Sequence, residues 1–217
     1  YQLIGYKYNS NNLTYRRYKM VNVKVFSDFG CPYCYIATGI VDKLVEENVQ
    51  FQLEWMPYES HPNVPFEGES LYDTFPKKQV DKMFIMLDRI GKPYGIEYGK
   101  VDKLVNTKRA LLAGEYAKSV GKYHKFYKEI FKAIFVDVKN IGDEEILNEI
   151  ALKAGINIIE MNKLIDEGMY NNNLEKVKKL VEKHNIKEVP SFLINDELVI
   201  INVRNYERIK RGIVETK

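Results

Sequence analysis

The stretch VKVFSDFGCPYCYI, residues 23–36, decides the fold. It joins an apolar, β-branched run to a Cys-Pro-Tyr-Cys motif, and apolar residues at helical spacing follow at once. The sequence contains two cysteines, and both stand in this motif, at Cys31 and Cys34. The stretch therefore predicts a β-strand, a short loop that carries two thiols, and a helix that begins at the motif.

A cysteine pair at a strand–helix junction is typical of a thioredoxin-type redox site. Pro32 suits the first turn of a helix, where a missing N–H costs nothing. Cys31 would then face free backbone N–H groups and the positive end of the helix dipole, and both favour the reactive thiolate. Cys34 would lie one turn later, placed to attack a mixed disulfide at Cys31. We predict that Cys31 is the attacking cysteine and Cys34 the resolving one.

The cysteine pair also has two possible structural explanations. A structural zinc site needs about four ligands, and His61, His124 and His184 do not stand at ligand spacing from one another. Two inert buried cysteines would not require a proline between them. Both explanations are less favoured than a redox pair, and no metal is expected.

Composition sets further limits. The chain has 217 residues, 45% hydrophobic and 29% charged, which is ordinary for a globular protein of one large domain or two small ones. A net charge of +3 is too small to indicate nucleic acid binding, and no apolar run approaches the length of a membrane span. Because no cysteine is left for a structural disulfide, we predict a reducing, cytoplasmic location. Residues 1–19, rich in Tyr and Asn, are interpreted as an N-terminal appendage.

Residues 21–57 predict a β-α-β unit. Alternating apolar residues indicate strands near residues 21–25 and 51–57, and Asn48 is a candidate stop for the helix between them. The predicted inner face of that helix is formed by Ile36, Ile40, Val41, Leu44 and Val45.

Amphipathic helical patterns then continue to about residue 183. Thr107 and Asp143 are predicted to open helices, and two capping boxes are predicted at Asn157 with Glu160 and at Asn172 with Glu175. Two apolar runs, at residues 189–194 and 198–201, flank turn residues and predict a β-hairpin, and a last helix follows. We therefore predict an α/β thioredoxin fold with an inserted all-helical domain. Residues 20–62 and 170–217 form the thioredoxin-like domain, and residues 63–169 form the insertion.

Pro190 stands at the start of a strand-like run, an awkward position for proline. A cis Val189–Pro190 bond would explain it, since cis bonds are nearly confined to X-Pro. Such a bond would turn the backbone of Val189 outward, where it could pair with an extended substrate beside Cys31.

These residues together resemble a known family. DFGCPYCYI, residues 28–36, and VPSFLI, residues 189–194, are similar to the DsbA family of thiol–disulfide oxidoreductases. Two further segments, WMPYE at 55–59 and NTKRA at 106–110, resemble its cytoplasmic FrnE-like branch. That branch is related to 2-hydroxychromene-2-carboxylate isomerase and kappa-class glutathione transferase.

The resemblance implies disulfide exchange with protein thiols or with small thiols such as glutathione. It also implies that Asn106 and Thr107 contact substrate or glutathione, although a helix cap is their simplest role. Isomerase and transferase members of the branch typically have serine at the first motif position, so cysteine at both positions favours disulfide exchange. Glutaredoxins share the motif, but here Pro190 follows it after a long helical stretch.

Some assignments remain open at this stage. Pro32 and Tyr33 are expected to position the substrate, Tyr33 and Tyr35 to form an apolar rim, and Asp28 to accept loop N–H bonds. His61 is a candidate for stabilising the thiolate, although a plain loop histidine is favoured. A glutathione-dependent isomerase or transferase and a non-catalytic, chaperone-like binding module stay as alternative functions. No cofactor is expected, and a dimer is a candidate oligomeric state.

Overall fold

The computed structural model describes residues 20–216. The predicted appendage, residues 1–19, lies outside the described residues. The elements in chain order are β1 (Val21–Ser27), α1 (Pro32–Glu46), β2 (Phe51–Pro57), β3 (Glu69–Ser70), α2 (Leu71–Thr74), α3 (Lys77–Gly91), a 3₁₀ turn (Lys92–Tyr94), β4 (Lys103–Leu104), α4 (Lys108–Ser119), α5 (Tyr123–Phe135), α6 (Glu144–Lys153), α7 (Ile158–Asp166), α8 (Asn171–Lys183), β5 (Ser191–Ile194), β6 (Leu198–Ile201) and α9 (Tyr206–Glu215). Among these, no helix is both long and apolar enough to cross a bilayer.

The central sheet has four strands in the order β2-β1-β5-β6. β1 pairs with β2 in parallel, with Val25 opposite Trp55, and with β5 in antiparallel, with Val25 opposite Phe192. β5 and β6 form an antiparallel hairpin whose turn residues Asn195 and Asp196 both have positive φ angles. The predicted β-α-β unit and the predicted hairpin are therefore confirmed, and they combine into one mixed sheet.

Each face of this sheet carries its own apolar cluster. Val23, Val25 and Phe192 belong to the larger cluster, which continues through α1, α4, α5, α6 and α9. Alternate residues on the same strands point the other way, so Phe26 and Leu193 pack in a smaller cluster completed by α8 and the chain after it. The inserted helices thus share a continuous core with one face of the sheet.

The predicted α/β thioredoxin fold with a helical insertion is confirmed, although the insertion also contains one short strand pair and is therefore not helical throughout. β3 and β4 pair antiparallel, with Glu69 opposite Leu104 and Ser70 opposite Lys103. Two residues per strand are too few to produce an alternating pattern in the sequence. The predicted domain boundaries stay a prediction.

Most predicted helix ends are confirmed. Asn48 has a φ of 57° just after α1, and the Asp143 side chain accepts a hydrogen bond from the Glu145 N–H at the start of α6. Asn157 likewise accepts from the N–H groups of Ile159 and Glu160 at the start of α7. These side chains satisfy backbone donors that a helix start leaves without partners.

Two local predictions were wrong. Asn172 lies inside α8, which begins one residue earlier after Tyr170 and has no side-chain cap, so no capping box forms there. Val45 is 46% exposed rather than part of the inner face of α1. It lies in the last turn of the helix, where no neighbouring element covers it.

Candidate active site

Helix α1 begins at the cysteine motif. Cys31 occupies the N-cap position with an extended backbone (φ −93°, ψ 115°), and Pro32 is the first helical residue. The Cys31 carbonyl accepts hydrogen bonds from the N–H of Cys34 at 2.9 Å and of Tyr35 at 3.4 Å. This places the Cys31 side chain at the end of the helix where backbone N–H groups are free and the dipole is positive.

The two cysteines lie in different environments. Cys31 is partly exposed, whereas Cys34 is fully buried, and both are free thiols. Burial raises the pKa of the Cys34 thiol, and the neighbouring Cys31 raises it further. Hydrogen bonds from Ser27 and from the backbone of Asp28 oppose this shift. Cys31 is therefore the accessible sulfur, and Cys34 is held as a protected thiol behind it.

Val189 and Pro190 lie directly beside Cys31, although they are far away in the sequence. The Val189–Pro190 bond is cis, and the Cys31 thiol donates to the Val189 carbonyl with a sulfur–oxygen distance of 3.6 Å. The carbonyl of Pro190 accepts from the N–H of Asn202 at 3.1 Å. The N–H of Val189 has no backbone acceptor within residues 20–216. The residue whose carbonyl contacts the accessible sulfur thus has an N–H without a backbone partner in this part of the chain.

Asp28 holds the loop that precedes the motif. Its side chain is buried, and its two oxygens accept from the N–H of Gly30 at 3.1 Å and from the N–H of Ser60 at 2.6 Å. The Asp28 carbonyl accepts from the N–H of Cys31 at 3.2 Å. The interpretation of Asp28 as a loop acceptor is confirmed, and the carboxylate also joins this loop to the loop after β2.

Aromatic side chains anchor the motif to the insertion. Phe29 is buried and meets Phe131 edge-on with ring centroids 5.4 Å apart. Tyr35 stacks on Phe131 at 5.5 Å and on Phe135 at 5.8 Å. Tyr35 is half-buried and its ring packs on α5, and its predicted place on an apolar rim stays a prediction. Tyr33 is partly exposed, as a rim residue would be.

Tyr98 was missed by sequence reasoning. It lies in the segment between the 3₁₀ turn and β4, and its hydroxyl donates to the Pro32 carbonyl inside the motif at 2.7 Å. Its ring meets those of Tyr35, Phe84 and Phe135 at centroid distances of 5.7 to 5.8 Å. No local pattern marks it, since Tyr98 contacts the motif only through the tertiary fold.

Asn106 contacts the loop after β2, whereas Thr107 contacts the loop before the cysteines. The Asn106 amide donates to the Val64 carbonyl at 2.6 Å, and its oxygen accepts from the Lys108 N–H at 3.2 Å. Thr107 occupies the N-cap position of α4, but its side chain makes no capping bond, so its predicted cap role was wrong. A Cβ atom added at Gly30 would lie 3.1 Å from the Thr107 methyl group, which shows that Thr107 packs against the motif loop. Their contact with substrate or glutathione stays a prediction.

His61 is an exposed residue of the loop after β2, and its ring makes no hydrogen bond to either cysteine in the described part of the chain. This position favours an ordinary loop histidine over a residue that stabilises the Cys31 thiolate. Residues 20–216 contain no group of three or more His, Cys, Asp or Glu side chains arranged to hold a metal ion.

Comparison with known proteins agrees with this geometry. The family model described as DSBA-like thioredoxin domain matches residues 22–213. The uncharacterized protein YwbO of Bacillus subtilis is 26% identical over 183 residues, which is 82% of this chain and 89% of that protein.

Two solved structures share the fold, and their sequences differ widely from this one. A probable DsbA oxidoreductase from Streptomyces coelicolor is 17% identical, with a TM-score of 0.81 over 90% of this chain and 89% of the other. The cytosolic disulfide reductase DsbM from Pseudomonas aeruginosa, solved with GSH, is 14% identical, with a TM-score of 0.68 over 90% of this chain and 98% of the other.

The family model spans both halves of the site, from the strand before the cysteines to the helix after the hairpin. The predicted resemblance to DsbA proteins is confirmed, whereas the narrower FrnE-like branch stays a prediction. This chain belongs to the family of DsbA-like thioredoxin domain proteins.

Proposed function

We propose that the protein is a dithiol–disulfide oxidoreductase that exchanges disulfides through Cys31 and Cys34. The observation that carries the proposal is the accessible Cys31 sulfur, 3.6 Å from the carbonyl of Val189, with the buried Cys34 thiol one helical turn behind it. Structural cysteines would need neither the difference in exposure nor a free backbone donor at Val189. Membership of a family with many thiol–disulfide oxidoreductases supports the same conclusion.

The reaction consists of two exchanges. The Cys31 thiolate attacks one sulfur of a substrate disulfide, forms a mixed disulfide and releases the other sulfur as a thiolate. Cys34 then gives up its proton to the departing thiolate and attacks the Cys31 sulfur. The Cys31–Cys34 disulfide forms, and the second substrate sulfur leaves. Two electrons pass from the protein to the substrate, and the reverse sequence oxidises a substrate dithiol.

Val189 is proposed to hold the substrate. Its N–H, which has no backbone acceptor among residues 20–216, and the carbonyl beside Cys31 offer a donor and an acceptor to an extended peptide, as an added strand would use them. The partly exposed Pro32 and Tyr33 are the first two residues of α1, directly after Cys31, and would contact the residues flanking the substrate cysteine. Protein thiols and disulfides are therefore the proposed partners, in the cytoplasm, since the sequence has no cysteine to spare for a structural disulfide.

The test is a trapping experiment. Cys34→Ser should accumulate a mixed disulfide with a peptide that contains a disulfide bond, because Cys31 attacks that bond and the resolving thiol is gone. Cys31→Ser should accumulate none, since Cys34 is buried. Non-reducing gels and mass spectrometry would count the adducts. Equal trapping by both variants, or dithiol-dependent turnover retained in Cys31→Ser, would refute the proposal.

Glutathione is the second candidate partner, because DsbM, which shares this fold, was solved with GSH. In that case Cys31 alone would activate bound glutathione for an isomerase- or transferase-type reaction. Activity that survives Cys34→Ser and requires glutathione would favour this second function over dithiol exchange.

A further inference from the structure

The inserted segment contacts the redox motif through one polar group. The Tyr98 hydroxyl donates to the carbonyl of Pro32 at 2.7 Å, between the two cysteines. Pro32 is the first residue of α1, and its carbonyl belongs to the same peptide group as the N–H of Tyr33. That N–H has no backbone acceptor among the described residues, as expected for the second residue of a helix.

The position of this N–H connects the Tyr98 hydrogen bond to Cys31. A side chain at an N-cap position faces the N–H groups of the second and third helical residues, and here the N-cap residue is Cys31. In this structure the Cys31 thiol makes no cap hydrogen bond and donates instead to the Val189 carbonyl. A Cys31 thiolate can only accept, and the N–H of Cys34 is already bonded to the Cys31 carbonyl at 2.9 Å, so the Tyr33 N–H is the cap donor left for the thiolate. A peptide whose carbonyl accepts a hydrogen bond becomes a stronger donor at its N–H, by about 10–30%.

We propose that Tyr98 is a positioning residue that stabilises the Cys31 thiolate through the Pro32–Tyr33 peptide group. The inference rests on the proposed disulfide exchange at Cys31 and adds a device that sets its redox balance. The thiolate occurs only in the reduced protein, so stabilising it favours the reduced form and makes the disulfide a stronger oxidant.

Tyr98 is held firmly enough for this role. The N–H of the next residue, Gly99, donates to the Phe135 carbonyl at 2.6 Å, and a Cβ atom at Gly99 would lie 2.6 Å from the Val136 carbonyl. The backbone therefore meets the end of α5 too closely for any side chain at that position. Burial raises the pKa of Tyr98, and the charge of Cys31 adds to the shift, so the hydroxyl remains a donor at neutral pH.

Tyr98→Phe removes the hydroxyl and keeps the ring that packs on Tyr35 and Phe135. The control is Tyr116→Phe, which also removes one tyrosine hydrogen bond, to Glu160 at 2.9 Å, without touching the motif. The equilibrium constant of each protein with the glutathione couple would be measured by thiol alkylation and mass spectrometry. Tyr98→Phe should shift it threefold to tenfold toward the oxidised protein, and Tyr116→Phe less than twofold. A tenfold shift corresponds to about 30 mV for a two-electron couple.

A second readout works even without a disulfide. In a Cys34→Ser background, Tyr98→Phe should slow alkylation of Cys31 by iodoacetamide at pH 6.5 about threefold, because less thiolate is present. An unchanged equilibrium constant or alkylation rate, or a shift in the opposite direction, would overturn the role of Tyr98. Failure of the unaltered protein to form the disulfide would instead refute the proposed function and leave the alkylation test to decide on Tyr98.

Discussion

Replacing Asp28 with asparagine should destabilise the protein while changing its size very little. The carboxylate is 1% exposed, and its oxygens accept from the N–H groups of Gly30 and Ser60. Asparagine retains one oxygen, so its NH₂ group must face the other N–H. A buried donor left without a partner costs about 1–3 kcal/mol, and the loss of a charge-assisted bond adds to this. We expect the free energy of unfolding to fall by about 2–4 kcal/mol.

Urea unfolding, followed by circular dichroism, measures this loss directly. For a chain of this length the midpoint of thermal unfolding should fall by about 5–12 °C. The control is Asp166→Asn, which removes an ion pair with Arg109. The Asp166 side chain is 64% exposed, so this substitution should lower the free energy of unfolding by less than about 1 kcal/mol. If Asp28→Asn unfolded within about 0.5 kcal/mol of the unaltered protein, the carboxylate would not be holding the two loops together.

Two further predictions concern the core beside the motif. Phe29→Ala should lower the free energy of unfolding by about 3–5 kcal/mol, because Phe29 is 3% exposed between Phe126 and Phe131. The control is Phe66→Ala, at a position that is 65% exposed, and it should change the free energy of unfolding little. Equal losses in the two variants would contradict this packing. Burial raises the pKa of Cys34 above its unfolded value, so its stabilisation is complete below about pH 8.5 and is lost as the pH rises toward the folded-state value. The reduced protein should therefore lose about 1–2 kcal/mol more than Cys34→Ala between pH 8 and pH 10 in urea unfolding, and parallel losses would show that Cys34 is not held as a thiol.

The sequence predicted those parts of the site that local patterns determine. The β-branched alternation before the motif marks β1, and proline at the first helical position marks the start of α1. Asn48, Asp143 and Asn157 were found because turn and cap chemistry is confined to a few neighbouring residues. Cys31 and Cys34 were identified in the same way, since their spacing fits one helical turn.

What the sequence did not reveal depends on long-range contacts. Tyr98 and Pro32 are 66 residues apart, and nothing near Tyr98 distinguishes it from the other 15 tyrosines. The stacking of Tyr35 depends on α5, and the β3–β4 pair depends on a fold that brings residues 69–70 and 103–104 together. The capping pattern at Asn172 failed because the preceding turn starts the helix at Asn171, two residues before the first helical residue that a cap at Asn172 predicts.

The central claim is that Cys31 and Cys34 form a redox-active pair. The most direct test is the reduction potential of that pair in glutathione buffers, with the oxidised fraction quantified by alkylation and mass spectrometry. The account predicts a single two-electron transition to an intramolecular disulfide, with a potential within the range from about −270 to −120 mV that thioredoxin-fold proteins span. A protein that forms no intramolecular disulfide at any glutathione ratio would contradict the account.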